Sequence, residues 1–354
     1  MSEETIKDRI GQFLKPYTEE YLFDELSDAY LKKAGVFDIL KGVPVPIKKT
    51  DLAELSSLKI AIAMAEIIGC DPGFRYRENY AGFIQKSFGD EFIRALIAQG
   101  VQQASSGDFE RACISFRGAL SLDPSSVDAL YCYGRACKDA YEEVSKAASE
   151  GMDVPEDSET YVGMFKAESL EAFEKLTLAA PDFPMGFYFL GYAYLNLGLY
   201  TKAKLTFEEF LDKDPAKAPN EDMEELRKEA SGWLEKLREP VRIEEGYNHV
   251  LAGRYGEGIA ILRPYETDER FNKWWPLHFY LGICRTETGD PEAAIGSFRE
   301  VLKLAPSNTD AMKMLVELYE EIGDDLNAEK YRRKIDIVDR NAEEYRAEKY
   351  PEMS

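Results

Sequence analysis

Cysteine and histidine, the residues that most often bind metals or attack substrates, are few in this sequence and are not spaced for either task. Five cysteines and two histidines are scattered over 354 residues. Cys132 and Cys137 lie five positions apart on one predicted helix, which is neither the Cys-x-x-Cys spacing of redox sites nor that of zinc ligands. We therefore expect free, small, buried thiols in a reducing compartment, no metal site and no cofactor.

Motifs of the common enzyme classes are also missing from the sequence. It contains no Gly-x-Ser-x-Gly and no His-Glu-x-x-His. A glycine-rich run from Gly253 to Gly258 resembles a phosphate-binding loop, but it falls at a predicted turn between two helices, where glycine has a structural purpose. The sequence therefore predicts a protein that is not an enzyme.

A fixed spacing of small and aromatic residues recurs three times. Gly100, Gly191 and Gly282 are each followed by a second glycine after 7 residues, an alanine after 12, a phenylalanine after 16 and a proline after 24. Small residues let two helices cross closely, the aromatic ring fills the gap between units, and proline stops the second helix. The pattern predicts an all-α stack of helix–turn–helix units, and such stacks bind other molecules along a concave face.

Three weaker copies of the pattern lie between and after these three units. The second unit carries an insertion near 141–162, which we predict to be a polar loop with the flanking helices lengthened into it. A loop of this length is either functional or loose. The predicted units are 93–126, 127–183, 184–217, 239–274, 275–308 and 309–342.

An extra amphipathic helix is predicted at 220–238, between the third and fourth units. Met223, Leu226, Ala230 and Trp233 recur there at three- and four-residue steps, and Pro240 is expected to end the helix. We expect this helix to stack in the array and bend it.

Residues 1–90 do not follow the repeat, whereas residues 91–354 do. The first segment is predicted to form a small helical N-terminal domain or an irregular cap on the array. Helices are expected at Thr5–Leu14, Thr18–Lys33 and Asp51–Ile68, the last with a cap from Thr50 or Asp51 and an end at Gly69.

The charge of the chain limits its partners. A net charge of −22 repels phosphate backbones, so nucleic acid is disfavoured and basic or amphipathic proteins or peptides are favoured. The other interpretation is an acidic exterior that only keeps the protein soluble. We expect no membrane-spanning helix, because no apolar run approaches about 18–20 residues, and the start lacks the features of a signal peptide, so a cytoplasmic location is expected.

The repeat resembles the tetratricopeptide repeat. The best match runs from Phe187 through Leu190, Gly191 and Tyr194 to Pro215, and the resemblance covers about two thirds of the chain. It implies a right-handed superhelical solenoid whose concave groove is lined by the first helix of each unit.

Helical geometry then separates the residues that face the sister helix from those that face the groove. Tyrosines on the groove side either act as spacers between neighbouring first helices or present apolar bodies with hydroxyl tips to a bound segment. Cations beside them either hold a carboxylate or a phosphorylated side chain or pair with local acids such as Asp139 and Glu142. The candidate groove residues are Tyr131, Arg135, Lys138, Tyr188, Tyr192, Tyr247 and Tyr280, with Phe279 beside the last.

Two functions fit these features. The first is a non-enzymatic scaffold that binds a protein or peptide in the tyrosine-rich groove, with self-association into a homo-oligomer as a variant. The alternative is a ligand-responsive regulator in which the N-terminal helical segment, residues 1–90, is the output module.

Overall fold

The computed structural model describes the backbone of residues 8–52, 55–155 and 157–349, and the side chains of these residues up to position 341. The chain divides into two compact units, one up to Ser231 and one from Gly232. Helices dominate both units, and strands among the described residues occur only near the start of the first unit. The predicted all-α architecture of helix–turn–helix repeats is confirmed.

The segment before the repeats is less helical than the sequence predicted. Residues 5–7 of the first predicted helix lie outside the described residues, and its last turn is present. The elements are α1 (Gly11–Leu14), β1 (Tyr21–Glu25), α2 (Asp28–Lys33), α3 (Phe37–Leu40), β2 (Pro44–Lys48), α4 (Ser57–Cys70) and α5 (Arg77–Phe88).

The helix predicted at Thr18–Lys33 is wrong in its first half, where β1 pairs antiparallel with β2. The two prolines of β2 hold the residues before them in extended conformations, and an extended segment offers its backbone groups to a partner strand. Tyr21, at the start of β1, is buried and donates its hydroxyl proton to the carboxylate of Glu66 on α4. This buried hydrogen bond favours the strand over the helix that local propensity suggested.

Helix α4 begins and ends later than predicted. Ser56, not Thr50 or Asp51, is the N-cap, because its hydroxyl accepts a hydrogen bond from the backbone N–H of Lys59 at 3.2 Å. Gly69 lies inside the helix rather than at its end. A Cβ atom at this position would come within 2.1 Å of the backbone oxygen of Ile114, so the glycine allows a close helix crossing.

Six helical hairpins follow in the described part of the chain. The hairpins pair α6 (Glu91–Ser105) with α7 (Phe109–Leu122), α8 (Val127–Ser149) with α9 (Ser158–Ala179), and α10 (Pro184–Asn196) with α11 (Tyr200–Asp212). They continue with the end of α12 (Met223–Leu251) and α13 (Tyr255–Leu262), α14 (Trp275–Glu287) and α15 (Pro291–Leu304), and α16 (Thr309–Glu321) and α17 (Asp325–Lys349).

In the three units with the unchanged spacing, the phenylalanine ring lies against the first glycine of its own hairpin, whereas the spacing had predicted that the ring fills the gap between units. A Cβ atom added to Gly191 would lie 2.7 Å from the ring of Phe207, and the same distance separates Gly282 from the ring of Phe298. The second glycine of the pattern forms the turn, as at Gly198, where φ is +71° and a side chain would be strained. Gly and Phe therefore position the two helices of a hairpin against each other.

The insertion and the extra helix depart from the simple repeat in different ways. Helices α8 and α9 lengthen to 23 and 22 residues, as predicted, and leave a connection at 150–157. The predicted end at Pro240 is wrong, because α12 continues through it to Leu251. Leu237 and Ile243, on either side of the proline, are buried, and this packing outweighs the loss of one backbone hydrogen bond.

Residues before the first hairpin share a hydrophobic core with it. Ile60, Met64 and Ile67 of α4 are buried with Leu96 of α6 and Ala119 of α7. None of the helices in the described part of the chain is long and apolar enough to cross a membrane. Whether residues 1–90 are a separate domain stays a prediction.

Candidate functional site

Five of the seven predicted groove residues line one cavity in the first unit. Tyr131, Arg135 and Lys138 come from α8, and Tyr188 and Tyr192 come from α10. The cavity has a volume of about 370 Å³. We call it the tyrosine cavity; its other lining residues are Glu142, Met185, Phe189, Glu221, Leu226 and Glu229.

The tyrosine hydroxyls in this cavity bind carboxylates of the same chain. Tyr188 donates to Oε2 of Glu229 at 2.8 Å, and Tyr192 donates to Oε1 of the same side chain. Tyr131 donates to Oε1 of Glu221 at 3.3 Å. Glu229 lies in the first half of α12, so the extra helix meets the groove face of α10 within the first unit.

Packing within the chain fixes the orientation of the aromatic rings in the tyrosine cavity. Tyr188 is only 7% exposed, and its ring centre lies 5.1–5.3 Å from those of Phe189, Tyr192 and Phe210. Burial, followed by the hydrogen bond to Glu229, raises the pKa of Tyr188 above its ordinary value. Burial also raises the pKa of Tyr131 to about 12. Both phenols are therefore neutral hydrogen-bond donors near neutral pH.

The two cations of the cavity behave differently. Lys138 pairs with Glu142 at 2.5 Å and with Asp139 at 3.6 Å, as the pairing interpretation predicted. The guanidinium of Arg135 instead lies 5.4 Å from the ring centre of Tyr131 and 5.5 Å from that of Phe189. Among the described residues, no carboxylate lies within salt-bridge distance of Arg135, so this group can accept an anionic partner.

The remaining two predicted residues, Tyr247 and Tyr280, lie in the second unit. Their rings stack with centres 5.1 Å apart and planes at 18°. The stack continues to Trp274, whose ring centre is 6.4 Å from that of Tyr247, and through Phe279 to Trp275. We call these five side chains the aromatic ladder.

The aromatic ladder is open to solvent at both ends. Trp274 is 39% exposed and Trp275 is 38% exposed, whereas Tyr247, Tyr280 and Phe279 are half-buried. Phe279 connects the ladder to the core, since its ring centre lies 5.6 Å from that of the fully buried Phe298. Exposed aromatic surface that is anchored in this way is typical of binding sites.

Three aromatic residues of the tyrosine cavity and the aromatic ladder were not predicted as groove residues. Phe189 lies on α10 between the face predicted to contact the sister helix and the face predicted to line the groove. Its ring stacks on that of Phe173, with the ring centres 5.3 Å apart. Trp274 and Trp275 come directly before and at the start of α14, in the run Lys273-Trp274-Trp275-Pro276. Two adjacent tryptophans before a proline at a helix start are the signal that could have identified them.

Most cysteine side chains are buried in the packed interior. Cys70, Cys113, Cys137 and Cys284 are buried and free, as predicted, and burial raises the pKa of the half-buried Cys132 to about 11. No group of three or more His, Cys, Asp or Glu side chains among the described residues is arranged to hold a metal ion.

Comparison with known families fits this architecture. Family models described as tetratricopeptide repeats match residues 166–218 and 277–308, which fall on the second and third hairpins and on the fifth. No curated protein matches the sequence.

Among solved structures, similarity extends to one described as the crystal structure of MamA protein, which is 15% identical. That match covers 73% of this chain and 96% of the other chain, with a TM-score of 0.25. Another similar structure is that of MamA 41-end from Desulfovibrio magneticus RS-1, which is 16% identical. This match covers 58% of this chain and 96% of the other chain, with a TM-score of 0.29.

Proposed function

Because this chain is a tetratricopeptide repeat protein, we propose that it is a non-enzymatic scaffold that binds a segment of another protein on the aromatic faces of its first helices. Repeats of this kind present extended surfaces rather than enclosed reaction centres. The proposal keeps the predicted groove residues but divides them between the two compact units.

The aromatic ladder is the observation that carries the proposal. Its half-exposed tryptophans flank a stacked tyrosine pair, and large, rigid aromatic side chains contribute most of the binding energy in many protein interfaces. Tyrosine and tryptophan lose little conformational entropy on binding because each has two side-chain torsions. The ladder is therefore already arranged to contact apolar side chains of a partner.

The partner that fits this surface is an amphipathic segment with basic flanks. Its apolar side chains would cover Trp274, Tyr247 and Tyr280, as in recognition of helices or extended peptides by apolar grooves. Its basic residues would be attracted by the net charge of −22 on this chain. A second copy of this acidic chain would be repelled by the same charge.

The tyrosine cavity has a second, smaller part in the proposal. Tyr131, Tyr188 and Tyr192 already use their hydroxyl groups within the chain, so they would contribute mainly shape and apolar surface. Lys138 is paired with Glu142, which leaves Arg135 as the group that would hold a carboxylate of the bound segment.

The alternative, a regulator with residues 1–90 as its output module, has less support. Glu66 of α4 binds Tyr21 of β1 and accepts a 2.8 Å hydrogen bond from Gln99 of α6. These buried polar contacts join the first residues to the first hairpin. An output module would have to break them in order to move independently.

Selection of peptides from a displayed library, with the double variant Trp274→Ala/Tyr280→Ala as the counter-target, tests the proposal. Selected peptides should combine apolar and basic residues. Their affinity should fall at least tenfold in the double variant, because each removed ring deletes a large contact area. Fluorescence anisotropy of labelled peptides measures the affinities, and circular dichroism checks that the variant is folded.

The matched control is Leu326→Ala, which removes an exposed apolar side chain of the second unit outside the ladder. It should leave peptide affinity unchanged. Selected peptides that are acidic, or that bind the double variant as tightly as the wild type, would contradict the proposal. Sedimentation that detects a dimer of the wild type but not of the double variant would assign the ladder to a second copy instead.

A further inference from the structure

A different aromatic cavity lies in the first unit, where the inserted connection meets the N-terminal segment and the first hairpin. It has a volume of about 310 Å³. Four aromatic side chains from separate parts of the chain line it: Phe13, Tyr17, Phe109 and Tyr161. The rings of Phe13 and Tyr161 meet edge to face with centres 4.9 Å apart.

Carboxylates are the charged groups among the residues that line this cavity. They are Asp108, Glu110, Glu143 and Asp157, and neither lysine nor arginine is among the lining residues. Glu110 accepts a 2.8 Å hydrogen bond from Tyr17, and burial followed by the negative charge of Glu110 raises the pKa of Tyr161, so this carboxylate lies close to both rings. The cavity therefore combines π faces with negative charge, as sites for organic cations do.

Two of these carboxylates have no cation of their own. Arg111 pairs with Asp108 at 3.3 Å and also with Glu20, which accounts for part of the charge. Glu143 and Asp157 have no salt bridge or side-chain hydrogen bond to any other described residue. A cation that enters between α8 and the start of α9 would neutralise both.

The geometry points to the side chain of an arginine from a partner protein as the occupant of this cavity. A planar guanidinium can stack on an aromatic ring and bind carboxylates at the same time, whereas a lysine ammonium acts as a point charge. The chain itself contains such an arrangement nearby, since the Arg111 guanidinium lies 4.8 Å from the centre of the Tyr17 ring while it pairs with Asp108. This cavity is separate from the aromatic ladder and from the tyrosine cavity, so the inference does not depend on the proposed function.

Saturation-transfer NMR with the intact protein tests this assignment. The probes are N-acetyl-arginine methylamide and its citrulline counterpart, which has the same shape without the charge. The arginine probe should bind at least tenfold more tightly than the citrulline probe. The double variant Glu143→Gln/Asp157→Asn should weaken arginine binding at least tenfold, and it should fold normally because both side chains are exposed and unpaired.

The matched control is Asp153→Asn/Glu159→Gln, which removes the same charges from exposed positions that do not line the cavity. It should bind the arginine probe as the wild type does. Equal binding of arginine and citrulline, no signal from arginine, or unchanged binding in the first double variant would each overturn the assignment. Equal binding of N-acetyl-lysine methylamide would overturn the choice of a guanidinium.

Discussion

The tyrosine cavity and the aromatic ladder both use residues of first helices of the repeat but differ in what their rings contact. In the first unit, Tyr188 and Tyr192 share the carboxylate of Glu229. In the second, Tyr247 and Tyr280 stack on each other beside an exposed tryptophan. Tyr192 and Tyr247 each directly follow the first glycine of their unit, so tyrosine at one repeat position bonds within the chain in one place and belongs to the aromatic ladder in the other.

The difference follows from the segment after the third hairpin. The chain there supplies Glu221 and Glu229. Their carboxylate oxygens accept hydrogen bonds from the hydroxyl groups of Tyr131 and Tyr188. A polar tip that is removed from water without a partner is costly, so the acceptor Glu229 lets Tyr188 pack in the interior. In the described residues, the hydroxyl of Tyr280 makes no hydrogen bond, and its side chain stays half-buried.

The largest expected contrast is in stability after truncation to alanine. Tyr188→Ala should lower the free energy of unfolding by about 3–5 kcal/mol, because a buried ring with three aromatic neighbours leaves a cavity. Tyr280→Ala should cost about 1 kcal/mol, since it removes one half-buried stacking contact. Calorimetric unfolding of both variants measures the difference. Losses of equal size would remove the distinction between the two regions.

A smaller contrast is expected when only the hydroxyl group is removed. Tyr188→Phe should cost about 1.5 kcal/mol, because it deletes a hydrogen bond to a charged acceptor. Tyr280→Phe is the matched change in the second unit and should leave the free energy of unfolding nearly unchanged. Denaturant titrations of the two variants give this comparison. A larger loss from Tyr280→Phe would mean that its hydroxyl group has an unrecognised structural role.

The smallest expected effect is the pH dependence of stability that comes from the pKa of Tyr188. Burial and the negative charge of Glu229 both favour the neutral phenol of Tyr188, so its pKa lies above the ordinary value in the folded state. The associated stability is present below the unfolded pKa of about 10 and is lost as the pH rises towards the folded pKa. Tyrosinate absorbance, as the difference between wild type and Tyr188→Phe, follows this group. Glu229→Gln should lower the pKa of Tyr188 without restoring its ordinary value, because burial remains.

The repeat geometry could be predicted because it is local in the sequence. The partners Gly191 and Phe207 lie within one hairpin, and the spacing that joins them recurs unchanged. The strand β1 and the passage of α12 through Pro240 could not be predicted in this way. Both depend on partners far along the chain or on buried neighbours, such as Glu66 for Tyr21 and Ile243 beyond the proline.

The candidate site was predicted in part for the same reason. Helical periodicity placed Tyr131, Tyr188 and Tyr192 on one face, and the structure brings them into one cavity. Helical periodicity carried no information about the acceptor Glu229, because this residue lies in a helix outside the repeat. The tryptophans of the ladder lie at the boundary between two predicted units, where the repeat pattern assigns no face.

The second hairpin shows how a repeat can grow without disturbing its neighbours. Gly134 still contacts the ring of Phe173, as in the shorter hairpins, and both helices extend beyond that contact by additional turns. The added turns carry Glu143 and Tyr161 to the edge of the 310 Å³ cavity. Evolution can thus lengthen the tip of a hairpin and add recognition chemistry there, while the packing that fixes its two helices against each other stays unchanged.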